Sequence, residues 1–200
     1  MTASLTSNHR VPEKNHLRDQ RALEQAGLRP LPPVPARAPL HLVEPEGQLQ
    51  VHTAPYRGSF STVFSQAMRA AGLGSRVLIA QFLRGGVNQG PQGSVRLCGG
   101  LEWLRPELHA CLSESAQHHE LQAVAAVWKV CKQHLIKGDL DQLVLDELGL
   151  AIAFGHLDED DLLSTLEQRP GAMDVIITGP AIPPSLMAIA DQVTQLRRGF

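Results

Sequence analysis

Three stretches of this 200-residue chain are apolar almost without interruption, and they limit the fold more than any other feature. They are RVLIAQFL at Arg76–Leu83, QLVLDE at Gln142–Glu147 and MDVIITG at Met173–Gly179. A strand with one wet face alternates apolar and polar residues, whereas a short continuous apolar run is a strand buried on both faces. Helical patterns lie between them. Val63, Phe64, Ala67, Met68 and Ala71 recur at helical spacing until Gly72 stops the run. His119–Lys137 puts Leu121, Val124, Ala125, Trp128, Cys131 and Leu135 on one face, with Gly138 as its cap. Asp158–Gln168 opens with acids that suit the positive end of a helix, and Pro183–Ala190 opens with proline. QLQVHT at Gln48–Thr53 reads as another strand and DQVTQL at Asp191–Leu196 as a last short one. Apolar strands alternating with helices predict an α/β fold whose parallel sheet is covered on both faces. Ligands in such sheets sit at the carboxyl ends of strands, which directs attention to the segments after Thr53, Leu83, Leu145 and Thr178.

Composition narrows the classes of function. A net charge of −2 lacks the basic stripe that neutralises phosphate backbones, so no nucleic-acid partner is expected. No apolar run approaches the roughly 18 residues of a membrane span, and the first 30 residues hold no signal-peptide core, so a cytoplasmic protein with no membrane partner is expected. Cys98, Cys111 and Cys131 form no C-x-x-C pair, which fits reduced thiols. Half of the 14 prolines fall in the first 45 residues. The stretch RPLPPVPARAP at Arg29–Pro39 reads as an extended linker. Asn15–Ala26, followed by Gly27, reads as a short helix that docks on something else, such as a protein partner. The expected organisation is an arm over residues 1–39 and an α/β domain over residues 40–200. The loop RGGVNQGPQG at Arg84–Gly93 is expected to be mobile.

Several features have a plain reading beside a functional one. Asp146-Glu147 after an apolar strand has the form of a Walker B element, although acids also simply end strands. Arg57, ahead of a helix, either contacts an anion or lies on exposed surface. Trp103 either packs a loop on the core or lines a ligand pocket, and Trp128 on its helical face reads as core. His118-His119-Glu120 lacks a histidine at the spacing of H-E-x-x-H and reads as a solvated helix start. The acids at Asp158–Asp161 need no explanation beyond the helix dipole. Cys98 beside two glycines reads as an idle thiol.

Taken together, the strand-end segments resemble the ATP:corrinoid adenosyltransferase family over roughly Gln48 to Arg197. RAAGLGSRVLIAQFLRGG at Arg69–Gly86 is similar to the family's R-A-x-G-x-G-x-R-V-x-x-x-Q-F-x-K-G stretch, with Arg84 at the basic position. GGLEW at Gly99–Trp103 resembles G-F-T-W. Leu143–Gly179 matches in its acid pair, in Arg169-Pro170 and in its terminal T-G. The resemblance implies a P-loop NTPase-type (RecA-like) mostly parallel sheet with helices on both faces. It also implies a homodimer, and transfer of the 5′-deoxyadenosyl group of ATP to cobalt(I) of a corrinoid. On that reading Thr53, Arg57, Gly58, Ser59, Ser61 and Thr62 hold the nucleotide, Asp146 holds Mg²⁺, Glu147 is catalytic, and Arg84 and Trp103 lie on the corrinoid side.

The phosphate loop departs from the family's T-G-x-G-K-G-K-T-T. Here the stretch is Thr53-Ala54-Pro55-Tyr56-Arg57-Gly58-Ser59-Phe60-Ser61. A P-loop needs glycines whose backbone N–H groups converge on phosphate, a lysine for the outer phosphates and a hydroxyl for Mg²⁺. Only Gly58 remains, Pro55 has no N–H, and Ser59 and Phe60 stand at the lysine and hydroxyl positions. Losing such contacts corresponds to about 6 kcal/mol, roughly four decades of affinity. The family's T-G-R is Thr178-Gly179-Pro180, which removes a further cation. Two functions follow as expectations: an adenosyltransferase in which Arg57 and the remaining hydroxyls substitute for the lost groups, or a non-catalytic binding or regulatory module on the same scaffold.

Overall fold

A computed structural model of the chain describes residues 46–58, 60–86, 90–97 and 99–197. The expected arm and linker, Ser59, Cys98 and the middle of the Arg84–Gly93 loop lie outside the described residues. The elements in order are β1 (Leu49–Thr53), α1 (Ser61–Gly72), β2 (Arg76–Gln81), β3 (Val95–Arg96), β4 (Gly100–Leu104), α2 (His118–Lys137), β5 (Gln142–Asp146), α3 (Leu148–Ala153), α4 (Glu159–Glu167), β6 (Asp174–Gly179), α5 (Pro184–Ala188) and β7 (Gln192–Gln195). They build one seven-stranded sheet in the order β3-β4-β2-β5-β6-β1-β7, parallel throughout except for the β3–β4 pair. Among the described residues no helix is long and apolar enough to cross a membrane.

Strand alternation sorts the core into two layers. Leu78 and Ala80 of β2, Leu143 and Leu145 of β5, and Val175 and Ile177 of β6 join the buried faces of α2, α3, α4 and α5. Val77, Ile79, Val144 and Ile176 point the other way, against Val63, Ala67 and Ala71 of α1. Both layers are apolar, so these strands read as unbroken runs. Gly138 caps α2 in the left-handed conformation, as its position predicts.

Some local expectations are corrected. β2 ends at Gln81, two residues before its apolar run ends, because the chain bends there while Phe82 and Leu83 stay fully buried. Met68 is 45% exposed, since the buried stripe of α1 is only Val63, Ala67 and Ala71. In α2 Ala125 faces solvent, and Val127 takes its place in the core. The segment Gly100–Leu104 is a strand with a mixed burial pattern, and a short helix follows Glu147 directly.

Candidate functional site

The carboxyl tips of β6, β5, β2 and β4 are tied together by side chains. Asp146, the last residue of β5, is 4% exposed. Thr178 Oγ1–H donates to its Oδ1 at 2.7 Å, and Gln81 Nε2–H donates to its Oδ2 at 2.7 Å. Gln81 Oε1 in turn accepts from Trp103 Nε1 at 3.0 Å and from Arg105 Nε at 2.8 Å. Burial raises the Asp146 carboxyl above its ordinary 3.8, against the hydrogen bonds from Thr178 and Gln81. Each acceptor in this chain is matched by a neutral or charge-assisted donor, as a buried polar network requires.

Glu147 is held differently. It sits just past β5 at φ 61° and caps α3, with its N–H donating to Thr178 O at 2.8 Å. Its side chain is 2% exposed. Arg57 reaches it from the β1–α1 loop in a bidentate grip: Nε donates to Oε1 at 2.7 Å and Nη2 to Oε2 at 2.6 Å. Arg84 Nη2 stands 3.9 Å from Oε1. A Cβ on Gly179 would come 2.9 Å from Glu147 Cα, so this close passage of two backbones requires glycine there. Burial of a carboxylate needs a paired cation, and Arg57 supplies it with fork geometry.

The remaining expected residues are placed as follows. Phe60 is 3% exposed and packs with Ala54, Val63, Val77 and Ile79 beneath α1. Its side chain is therefore part of the core layer. Ser61 and Thr62 form the exposed first turn of α1, and Ser59 is outside the described residues. Gly58 has φ 83°, and a Cβ there would lie 3.9 Å from Arg84 Nη2. Thr53 ends β1 and lines a separate cavity on the β7 side. Trp103 is half-buried, stacked on Phe64 with centroids 5.7 Å apart, and Arg105 lies over its ring. Thus Arg57, Gly58, Arg84 and Glu147 meet at one point, Asp146 meets Trp103 only through Gln81, and Thr53 is apart from both groups. Trp128 is core, with Nε1 donating to Asp161 at 2.8 Å. Asp158 caps α4 by accepting from the Asp161 N–H, and Asp161 also pairs with Lys132.

Gln81, which falls on the Q-F of the stretch similar to the family, and Arg105 have no role assigned to them by the sequence. Gln81 carried a signal: it is the only polar residue inside VLIAQFL, and a buried amide must find partners. Arg105 had no such mark.

Residues 45–199 match the family described as ATP:corrinoid adenosyltransferase BtuR/CobO/CobP. The corrinoid adenosyltransferase CobA of Salmonella typhimurium is 32% identical over 156 residues, which is 77% of this chain and 78% of that protein. The corrinoid adenosyltransferase of Pseudomonas aeruginosa is 29% identical over 160 residues, covering 75% of this chain and 74% of the relative. That of Escherichia coli K12 is 29% identical over 153 residues, with 76% of each chain covered.

Proposed function

Because the chain belongs to the ATP:corrinoid adenosyltransferase family, we propose that it is a member that has kept the scaffold as a binding or regulatory module and has given up adenosyl transfer from ATP. The observation that carries this reading is the bidentate Arg57–Glu147 pair. The cation nearest the former phosphate loop is committed to the acid that the resemblance makes catalytic. An arginine held by two charge-assisted hydrogen bonds to a buried carboxylate has its charge already balanced there, and only its remaining N–H donors face outward, which weakens its pull on a triphosphate.

The residues present do not fit Mg²⁺ with a triphosphate. Phe60 buries its ring where the family's pattern has a magnesium hydroxyl, so Asp146, each of whose oxygens accepts one hydrogen bond, has no hydroxyl opposite it to share an ion. Pro55 contributes no N–H to a phosphate nest. No step through Mg²⁺ is therefore derived. One observation favours the catalytic alternative: the acid pair, Arg84 and Trp103 all remain on the carboxyl edge of the sheet, where the family's chemistry with ATP and a corrinoid would be sought.

The two readings separate in an anaerobic assay of purified protein with ATP, Mg²⁺ and cobalt(I) corrinoid. The expected result is no adenosylated product above the uncatalysed rate, together with no rise in melting midpoint on adding Mg·ATP. Turnover, or an Mg·ATP stabilisation that vanishes in Arg57→Ala, would sink the proposal. A homodimer in the cytoplasm, with the arm over residues 1–39 docking on a protein partner, belongs to the same reading. Light scattering that finds only monomer at tens of micromolar contradicts the dimer.

A further inference from the structure

A cavity of about 500 Å³ opens on the β7 side of β1, at the start of the β1–α1 loop, and Glu147 does not line it. Ala54, Pro55, Ile182 and Met187 give it a mainly apolar wall, and Thr53, Gln195 and Arg197 bring a hydroxyl, an amide and a cation to it. Its volume lies within the range of small-molecule sites, as does its pattern of apolar wall with a few polar groups. Arg197 is exposed and forms no ion pair among the described residues. Among the described residues it is the sole charged side chain in the lining.

A second, independent observation falls on the same rim. Ala181 lines the cavity at φ 57°, a left-handed conformation that costs a non-glycine residue about 1–2 kcal/mol. The turn is held there by α3: a Cβ on Gly149 would meet Pro180 O at 2.7 Å and Ala181 C at 2.8 Å. Strain maintained by surrounding packing is a recurrent property of ligand clamps. Met187, unbranched and polarizable, gives the wall room to adapt.

We infer that this cavity binds a small monocarboxylate with an apolar body the size of a phenylalkyl or indole group, the carboxylate pairing with Arg197 and the body lying against Ile182 and Met187. Charge complementarity selects the class, since one unpaired cation at the edge of an apolar wall favours one anionic group over none or several. The inference goes beyond the preceding proposal and does not rest on it.

The test is calorimetric titration and thermal shift of the full chain with phenylbutyrate and its neutral amide. The acid is expected to raise the melting midpoint and to bind at least about tenfold more tightly than the amide, a difference of about 1.4 kcal/mol. Arg197→Gln, a change at an exposed position, is expected to bring the acid down to the level of the amide. Met187→Trp fills the cavity and is expected to abolish binding of both, with circular dichroism showing whether the fold persists. Absence of phenylbutyrate binding at millimolar concentration overturns the inference, as does equal binding of acid and amide in the parent protein. Adenosyl transfer or Mg·ATP stabilisation would overturn the preceding proposal and leave this one standing.

Discussion

The two flanks of β6 end in opposite ways. Towards β5, β2 and β4 the strand tips are stitched by Thr178, Asp146, Gln81 and Trp103, and the adjoining Glu147 is clamped by Arg57. Towards β1 and β7 the tips surround an open cavity lined by Arg197, which has no ion pair among the described residues. The crevice rule for α/β sheets treats the whole carboxyl edge as one place for ligands. Here the half that carries the family's acids has both carboxylates and Gln81 bonded internally, although Arg84 Nε beside Glu147 is buried without a hydrogen-bond partner, while the other half has an arginine with no ion pair among the described residues. Position on the edge thus locates chemistry only coarsely. Whether the groups there are already partnered decides which half remains available.

The contrast can be broken most forcefully at its centre. Asp146→Ala leaves the Thr178 hydroxyl and the Gln81 amide buried without an acceptor, and each unsatisfied group costs about 1–3 kcal/mol. A loss of about 3 kcal/mol in urea unfolding is expected, and a loss under about 1 kcal/mol would mean that the stitched flank is not held by this chain of bonds. Arg57→Ala comes next. Removing one partner of a buried pair costs about 3–5 kcal/mol, and with the Arg57 side chain 41% exposed a smaller loss of about 2 kcal/mol is expected. Adding Glu147→Gln to that variant should restore most of it, since the buried charge then left with only Arg84 at 3.9 Å goes. A double variant no more stable than Arg57→Ala would show that the clamp matters for packing and not for charge.

A smaller effect sharpens the same flank through pH. The Asp146 carboxyl titrates above its ordinary 3.8 because it is buried. Just above pH 3.8 the folded chain therefore keeps a proton that the unfolded chain has released, and stability declines as pH rises through that window. The stability of the parent relative to Asp146→Asn should accordingly fall with rising pH there. A difference that stays constant, or grows, contradicts the assignment. Asp139, Asp141 and Asp161 are shifted downwards by partners His134, Arg76 and Lys132, act in the opposite sense, and are common to both proteins. The smallest change tests the open flank: Ala181→Gly relieves the positive φ at the price of chain entropy, and a gain of about 0.5 kcal/mol is expected from urea unfolding. No gain would mean that the turn is not strained.

Burial explains what was legible in the sequence. β2, β5 and β6 are covered on both faces, so their middle residues are apolar and polar ones are kept to the strand ends, which makes each run stand out. β4 lies nearer the edge, with half-buried Glu102 and Trp103 between buried Leu101 and Leu104, and such a mixture looks like loop. α3 is only six residues long, too short for a helical period to emerge. The acid pair could be picked out, but its partners could not. Arg57 and Glu147 are 90 residues apart, and nothing local in either segment marks the other. Phe60 could be read as a missing hydroxyl at a phosphate loop. Its positive role as a core side chain under α1 emerges only when β2 and β5 are folded beneath it.

The sheet order has a consequence for how the chain is made. Among the described residues β1 is the first strand along the chain, yet its two neighbours are β6 and β7, with backbone-to-side-chain bonds at its start spanning 126 and 142 residues. Such long-range pairing is closed late, after shorter loops have formed, because loop-closure entropy must be overcome first. β1 therefore has neither of its neighbours to pair with until the segments from Asp174 onward have been made. The clamp on Glu147 and the cavity beside β7 both use residues at the end of that strand or just past it, so both depend on that long-range pairing.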